Sequence, residues 1–368
     1  MGTLINEKEL DIKGYYPVLG DHSRSRLQKV DARFLGTHAR FATNIRWLQL
    51  ANDFALREAS QVTPPRAHSP ITASRVLQPV HRNSFSFMEF LKSACITIWA
   101  KFPRRIRVGA YKILRMIGYR IYGPNPLGPA QRLPFGLYLK DRRDIDLLQN
   151  EFNALKMVRQ YTSVPVPRPI DLVFEPGESD GYLLMSRVPG VPFTTYMEML
   201  SDRDYADFVF QMQEYISQIR AIPKTVRPEF AICSTLGQAC RDTRVEHGDA
   251  IGPFADEAAF SQLLRNPDDP SRRGHSILFT HADLNMRNIL VDQVTQPDGA
   301  KVWKVTGIVD WESAGFYPEY WEYTRALFEG FRYAERTRDM LHELFKAFGD
   351  YSKEFEVEKR SWEEGDYI

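Results

Sequence analysis

Phe279-Thr280-His281-Ala282-Asp283-Leu284-Asn285-Met286-Arg287-Asn288-Ile289-Leu290-Val291, joined downstream by Gly307-Ile308-Val309-Asp310-Trp311-Glu312, is the part of this chain that decides its fold. An apolar run delivers a polar loop, a second apolar run removes it, and a third ends on another carboxylate, which is the pattern of strands meeting at a functional turn. That order puts Asp283, Asn288 and Asp310 at neighbouring strand or loop ends, where they can converge on one ion and one hydroxyl. His281, just before them, is read as a structural hydrogen-bonder rather than a proton shuttle.

Phosphoryl transfer asks little covalent chemistry of a protein; it needs an oriented nucleophile, neutralised phosphate charge and in-line geometry. Asp283 is expected to accept or orient the proton of a substrate hydroxyl. Asn288 and Asp310 offer hard oxygen ligands suited to magnesium, which keeps its waters and bridges substrate phosphates. Upstream, Gly136-Leu137-Tyr138-Leu139-Lys140 reads as a short strand and residues 145–161 as a helix with an apolar stripe through Leu148, Phe152, Leu155 and Val158. Glu151 sits on that stripe, so its carboxylate needs a partner. Lys140 supplies one, and the pair is expected to hold nucleotide phosphates; an ordinary surface ion pair is the blander alternative.

These residues resemble the aminoglycoside phosphotransferase family of the protein-kinase-like fold, and its fungal members in particular. The resemblance rests on His281-x-Asp283-x-x-x-x-Asn288, on Ile308-Val309-Asp310-Trp311-Glu312, and on matching segments at Leu133 to Lys140, Leu183 to Gly190 and Tyr317 to Trp321. It covers about Gly118 to the end of the sequence. It implies an α+β, bilobal protein-kinase-like fold with a small β-rich N-terminal lobe and a larger, mainly helical C-terminal lobe. It further implies ATP and Mg2+ as cofactors and a small-molecule hydroxyl as acceptor. Lys140 would be the phosphate lysine, Glu151 its helical partner, Met185, Ser186 and Val188 part of an adenine-binding hinge, Asp283 the catalytic base, and Asn288 and Asp310 the metal ligands. The pattern departs from protein kinases in two places: no GxGxxG precedes Lys140, leaving Gly123 to Gly128 to cover the phosphates, and no Arg precedes Asp283. A non-catalytic nucleotide-binding scaffold is therefore the second reading and a protein kinase the third.

Outward from the site, the sequence divides into an extension over 1–84 expected to be poorly ordered, a lead-in and nucleotide lobe over 85–188, and a catalytic and substrate lobe over 189–368. Phe41, Ile45, Leu48 and Leu56 mark one short helix in the extension. Leu91, Cys95, Ile98, Trp99 and Phe102 recur at helical spacing, and Pro103 opens a second helix expected to bury Ile106, Ala110, Ile113, Leu114 and Ile117. Its remaining positions carry Arg104, Arg105, Arg107, Lys112, Arg115 and Arg120, read as a solvated basic face, with an anionic membrane or a phosphate backbone as the sharper alternative. Ser201 with Asp204 forms a capping-box pattern opening a helix whose buried face holds Tyr205, Phe208, Val209, Met212, Ile216 and Ile219. Strands are expected at 182–185, 277–279, 289–291, 302–305 and 307–309, and a helix with an exposed side in the run from Lys353 to Asp366.

Composition excludes several classes. Lys and Arg total 48 against 47 Asp and Glu, so no global charge excess points to nucleic acid. The three cysteines form no CxxC pair or zinc pattern, which suits a reducing, cytoplasmic setting. Glu7, Lys8, Glu9 and Asp11 break any signal-peptide pattern, and Glu89, Lys92 and Lys101 interrupt the longest apolar run, so neither secretion nor a membrane span is expected. Trp311, Tyr317, Tyr320 and Trp321 are read as core, while Glu312, Glu319 and Glu322 either attract an aminated substrate or form a solvated face. Oligomeric state and acceptor identity are not legible.

Overall fold

The computed structural model describes residues 96–368 apart from 126–128, 176–179, 197–199, 246–247, 298, 329–341, 343–344, 346–347 and 365–367. The expected helix around Phe41 to Leu56, the character of residues 1–84, Leu91 and Cys95, and the tip of the Gly123–Gly128 loop lie outside the described residues. The first long helix, α1 (Arg104–Tyr122), starts just after Pro103 and ends where Gly123 adopts a φ of 73°. Strands β1 (Ala130–Leu133), β2 (Leu137–Arg142), β3 (Pro169–Phe174) and β4 (Gly181–Ser186) form an antiparallel sheet in the order β1-β2-β4-β3. Helix α2 (Ile145–Tyr161) intervenes between β2 and β3, capped by the Asp144 side chain accepting from Leu147 N–H. The sheet is covered on both faces because its strands alternate. Leu139, Tyr182 and Leu184 pack with Val108 and Tyr111 of α1, whereas Leu183 and Met185 join Leu148 and Leu155 of α2.

The chain then leaves this lobe through β5 (Val191–Pro192), which pairs with the larger lobe rather than the first sheet. Helix α3 (Asp202–Arg220) opens on the expected capping box, Ser201 Oγ accepting from Asp204 N–H and the Asp204 carboxylate accepting from Ser201 N–H. Phe208, Met212, Ile216 and Ile219 are its buried residues, with Tyr205 and Val209 half-buried. Short strands β6 (Cys233–Ser234), β7 (Cys240–Arg241) and β8 (Ala250–Ile251) and helix α4 (Glu257–Ser261) lead to β9 (Ile277–Thr280). Next come β10 (Ile289–Thr295), β11 (Lys301–Ile308) and β12 (Gly315–Pro318), then α5 (Trp321–Phe328) and α6 (Ser352–Glu364). β10 lies between β11 and β5, and β12 lies between β6 and β9.

Two expectations are corrected here. The separate strands foreseen at 302–305 and 307–309 are the single strand β11, which absorbs an extra residue, Thr306, where its register against β10 shifts. The extra residue is not idle: its hydroxyl donates to Pro189 O at 2.8 Å. In α1 the buried positions are Val108, Tyr111 and Gly118, while Ile106 and Ile113 face solvent. The helix is turned by polar anchors as well as apolar ones, since Tyr111 donates to Asp171 of β3 at 2.5 Å and Arg107 pairs with the same carboxylate at 2.5 Å.

Candidate active site

The expected site residues lie within strands or in the turns just beyond them, except Glu151, which sits on the buried side of a helix. Lys140 occupies β2 opposite Leu183 of β4, on the face covered by α2, where its side chain is 3% exposed. Three carboxylates surround its ammonium: Glu151 of α2 at 2.8 Å, Asp310 just beyond β11 at 2.5 Å, and Glu312 at 2.6 Å. The expected Lys140 and Glu151 partners thus meet in the interior, and the lysine also bridges the two lobes. Burial alone would discharge Lys140, but the carboxylates prevail and hold its pKa above the ordinary value. Burial pushes Glu151 the other way from a free carboxylate, upward, against the pull of Lys140. Asp310, partly desolvated though its side chain is 36% exposed, is held low because Lys140 both faces it and donates to it.

The polar loop after β9 is fixed from several sides. His281 is fully buried; its Nε2 lies 2.9 Å from Val309 O, and its Nδ1 accepts from Asp283 N–H at 3.2 Å. Those partners require the neutral tautomer protonated on Nε2, and burial lowers its pKa accordingly. Asn288 Nδ2 donates to Asp283 O at 2.8 Å and approaches Asp283 Oδ2 at 3.3 Å, while Val309 N–H donates to Asn288 O at 3.0 Å. The loop between β9 and β10 is therefore stitched to the end of β11. Ala282 and Asp310 both occupy the left-handed region, at φ 64° and 70°, a costly conformation for residues with a Cβ.

Three neighbours of the candidate site were misread or missed in the sequence: Glu322 and Glu312, taken for a solvated face or an attraction for an amine, and Arg325. Glu322, at the start of α5, is buried and accepts the backbone N–H groups of Ala282 and Leu284, both at 2.9 Å, so it clamps the residues flanking Asp283. It is neither a solvated face nor a lure for an amine. One turn later, Arg325 Nη2 lies 2.7 Å from Asp283 Oδ1, an ion pair whose N–H direction is too oblique for a hydrogen bond. Arg287 approaches the other oxygen at 3.7 Å. Burial raises the Asp283 pKa, opposed by these two guanidiniums. Glu312, the third, is held by Arg142 at 2.8 Å as well as by Lys140. The available signal was an acid in an otherwise buried helical run, Trp321-Glu322-Tyr323-Thr324.

The expected hinge lies at the other end of the first sheet. Met185 is buried; Ser186 donates its N–H to Arg168 O at 2.9 Å and accepts Arg168 N–H on its hydroxyl at 2.8 Å. Arg187 N–H is committed to Gly136 O. Val188 packs so closely on Gly307 that a Cβ there would meet Val188 Cγ1 at 2.4 Å. The Val188 contact joins this segment to β11, so the strand that leads to Asp310 is indexed to the crossing between lobes.

The fit of this site to a divalent cation can be judged from charge. Glu151, Asp310 and Glu312 bring oxygens within 4.8 Å of one another. These three acids face two cations, Lys140 and Arg142, and so leave a surplus of negative charge. With its nitrogen turned to Asp283, Asn288 keeps its amide oxygen as a further hard acceptor. The donor set suits magnesium rather than a soft metal.

A β-rich lobe carrying a buried Lys–Glu pair faces a helix-backed lobe whose loops carry Asp, Asn and Asp, which is the layout the α+β, bilobal expectation called for. Residues 135–357 match the model of the phosphotransferase enzyme family, and the chain belongs to that family. Among solved structures, it is similar to the GDP and kanamycin complex of APH(2")-IIia, at 15% identity over 66% of this chain and 84% of that one, with a TM-score of 0.45. It is also similar to a thermostable mutant of aminoglycoside phosphotransferase APH(4)-Ia in complex with ADP and hygromycin B, at 16% identity over 61% and 76% of the two chains and a TM-score of 0.41. No curated protein matches the sequence. Among the described residues, no helix is long and apolar enough to cross a membrane.

Proposed function

We propose that this phosphotransferase moves the terminal phosphate of ATP, with magnesium, to a hydroxyl of a small molecule. The observation that carries this reading is the convergence of Lys140, Glu151 and Asp310 across the lobes beside an Asp283–Asn288 loop joined to the same strand end. Lys140 is poised to exchange a carboxylate partner for nucleotide phosphate, with Glu151 remaining to orient it. The purine is assigned to the segment of Met185, Ser186 and Val188. Because the N–H groups of Ser186 and Arg187 are already used, its polar contacts fall to other backbone groups there.

Asp283 is the proposed base, orienting the acceptor hydroxyl and taking its proton as the phosphorus–oxygen bond forms. For that, an oxygen must come free of its guanidinium, and the exposed Arg287 is easier to move than Arg325, whose side chain is 10% exposed. Asn288 and Asp310 are the residues that would hold magnesium, which when bound neutralises phosphate charge and fixes the transferring group. Glu322 keeps the loop in place without touching substrate. The test is incubation with ATP, magnesium and a library of small alcohols, read by mass spectrometry. A phosphorylated product accompanied by ADP is expected; nucleotide-dependent thermal stabilisation with no product from any acceptor would favour a binding scaffold instead.

A further inference from the structure

The outer side of α1 is left uncovered by everything else in the described fold. Its inner side is fixed, since Gly118 lies so near β1 that a Cβ would meet Arg132 O at 2.3 Å. On the opposite side Ile106, Ile113 and Met116 are 53%, 55% and 57% exposed, and spacings of seven and three residues hold them on one stripe. The residues leading into the helix add Ile98 and Phe102, also exposed. Single exposed apolar side chains are ordinary; a stripe of them is not.

Charge sets this stripe apart. From Phe90 to Lys140 the sequence carries ten Lys and Arg and no Asp or Glu. The sheet supplies partners for three of the helix's cations: Asp171 for Arg107, Glu175 for Lys112 and Asp141 for Arg115. Lys101, Arg104, Arg105 and Arg120 are exposed and have no carboxylate partner among the described residues. A helix that offers exposed apolar side chains together with cations that have no carboxylate partner among the described residues has the makeup of an interfacial helix, whose affinity combines insertion with attraction to anionic headgroups.

We propose that α1 docks this protein on an anionic lipid surface. The alternative occupants meet a charge of the wrong sign. Residues 1–95 contain 13 Lys and Arg against 8 Asp and Glu, so the preceding sequence is itself net basic. A second copy in a two-fold contact would set these cations against themselves. α1 covers the face of the first sheet opposite α2, Lys140 and Glu151, so docking through its outer side leaves the nucleotide site unobstructed. The proposal is independent of the role given to Asp283.

The test is co-sedimentation of the full chain with phosphatidylcholine vesicles, with and without one-third phosphatidylserine, beside the double variant Ile113→Glu, Met116→Glu. Binding is expected only with phosphatidylserine and should weaken as salt rises. The double variant should bind roughly tenfold or more weakly, with an unchanged unfolding midpoint because both side chains are exposed. Absence of anionic-vesicle binding, or full binding by the double variant, would overturn the proposal. So would light scattering showing that the variant turns an oligomer into a monomer, which would make the stripe a protein interface.

Discussion

Asp283 meets the protein on both carboxylate oxygens, with Arg325 on one and Asn288 and Arg287 near the other. Its pKa is raised by burial and restrained by the arginines, so with Asp283 as the proposed base the acidic limb of the pH–rate profile is expected above the ordinary carboxylate value, with activity lost as pH falls through it. Arg325→Gln removes a restraining charge and should move that limb to higher pH; a limb that stays put would show that Arg325 does not tune the base. Glu322→Ala strands two backbone N–H groups, Ala282 and Leu284, and should cost about 1–3 kcal/mol in denaturant unfolding. At this scale the sequence was legible where chemistry is contiguous. Asp283, Asn288 and Asp310 sit at the ends of apolar runs, and Glu151 betrayed itself on an apolar stripe. Glu322 and Arg325 were misread or missed because their partners lie on another element, and no local spacing encodes that contact.

Among the elements, α2 and α3 came out at the expected places because caps and stripes are local signals. Asp144 and Ser201 both accept from the first turn of their helices. Ser201→Ala should therefore lower stability by about 1 kcal/mol, measurable as a shift in denaturation midpoint without loss of nucleotide binding. α1 shows the opposite case. Its sequence has apolar residues all round, and periodicity chose Ile106 and Ile113, whereas burial went to Val108, Tyr111 and Gly118. The deciding contacts were Tyr111 and Arg107 on Asp171 of β3, long-range bonds that a helical pattern cannot reveal. β11 was divided in two for a related reason: Gly307 and the extra Thr306 look like a break, yet the strand runs through them with shifted register.

Across the whole molecule, helix α6 is tied to the rest of the larger lobe by buried charge. Arg244 is fully buried between Asp242 and Glu358 of α6, with its guanidinium 4.3 Å from the Trp321 ring, and Arg272 reaches the same glutamate. Glu358→Ala would leave two buried cations short of a partner and should destabilise by about 3–5 kcal/mol. His275 joins α4 to α6 through Glu257 and Glu354. Burial works to lower its pKa, but the two glutamates prevail and raise it. Its contribution to stability is then fully present below about pH 6.5 and is lost as pH rises through the higher folded value. His275→Gln should flatten the melting temperature across that window, and an unaltered slope would remove His275 from the linkage.

The most direct measurement compares wild type with Asp283→Asn in ATP- and magnesium-dependent transfer to an acceptor the screen identifies, with nucleotide binding followed in parallel. The expected result is a fall in kcat of about 10²–10⁴ with nucleotide-induced stabilisation retained. Undiminished transfer by the variant would contradict the placement of the base, and with it the way this site is held to work.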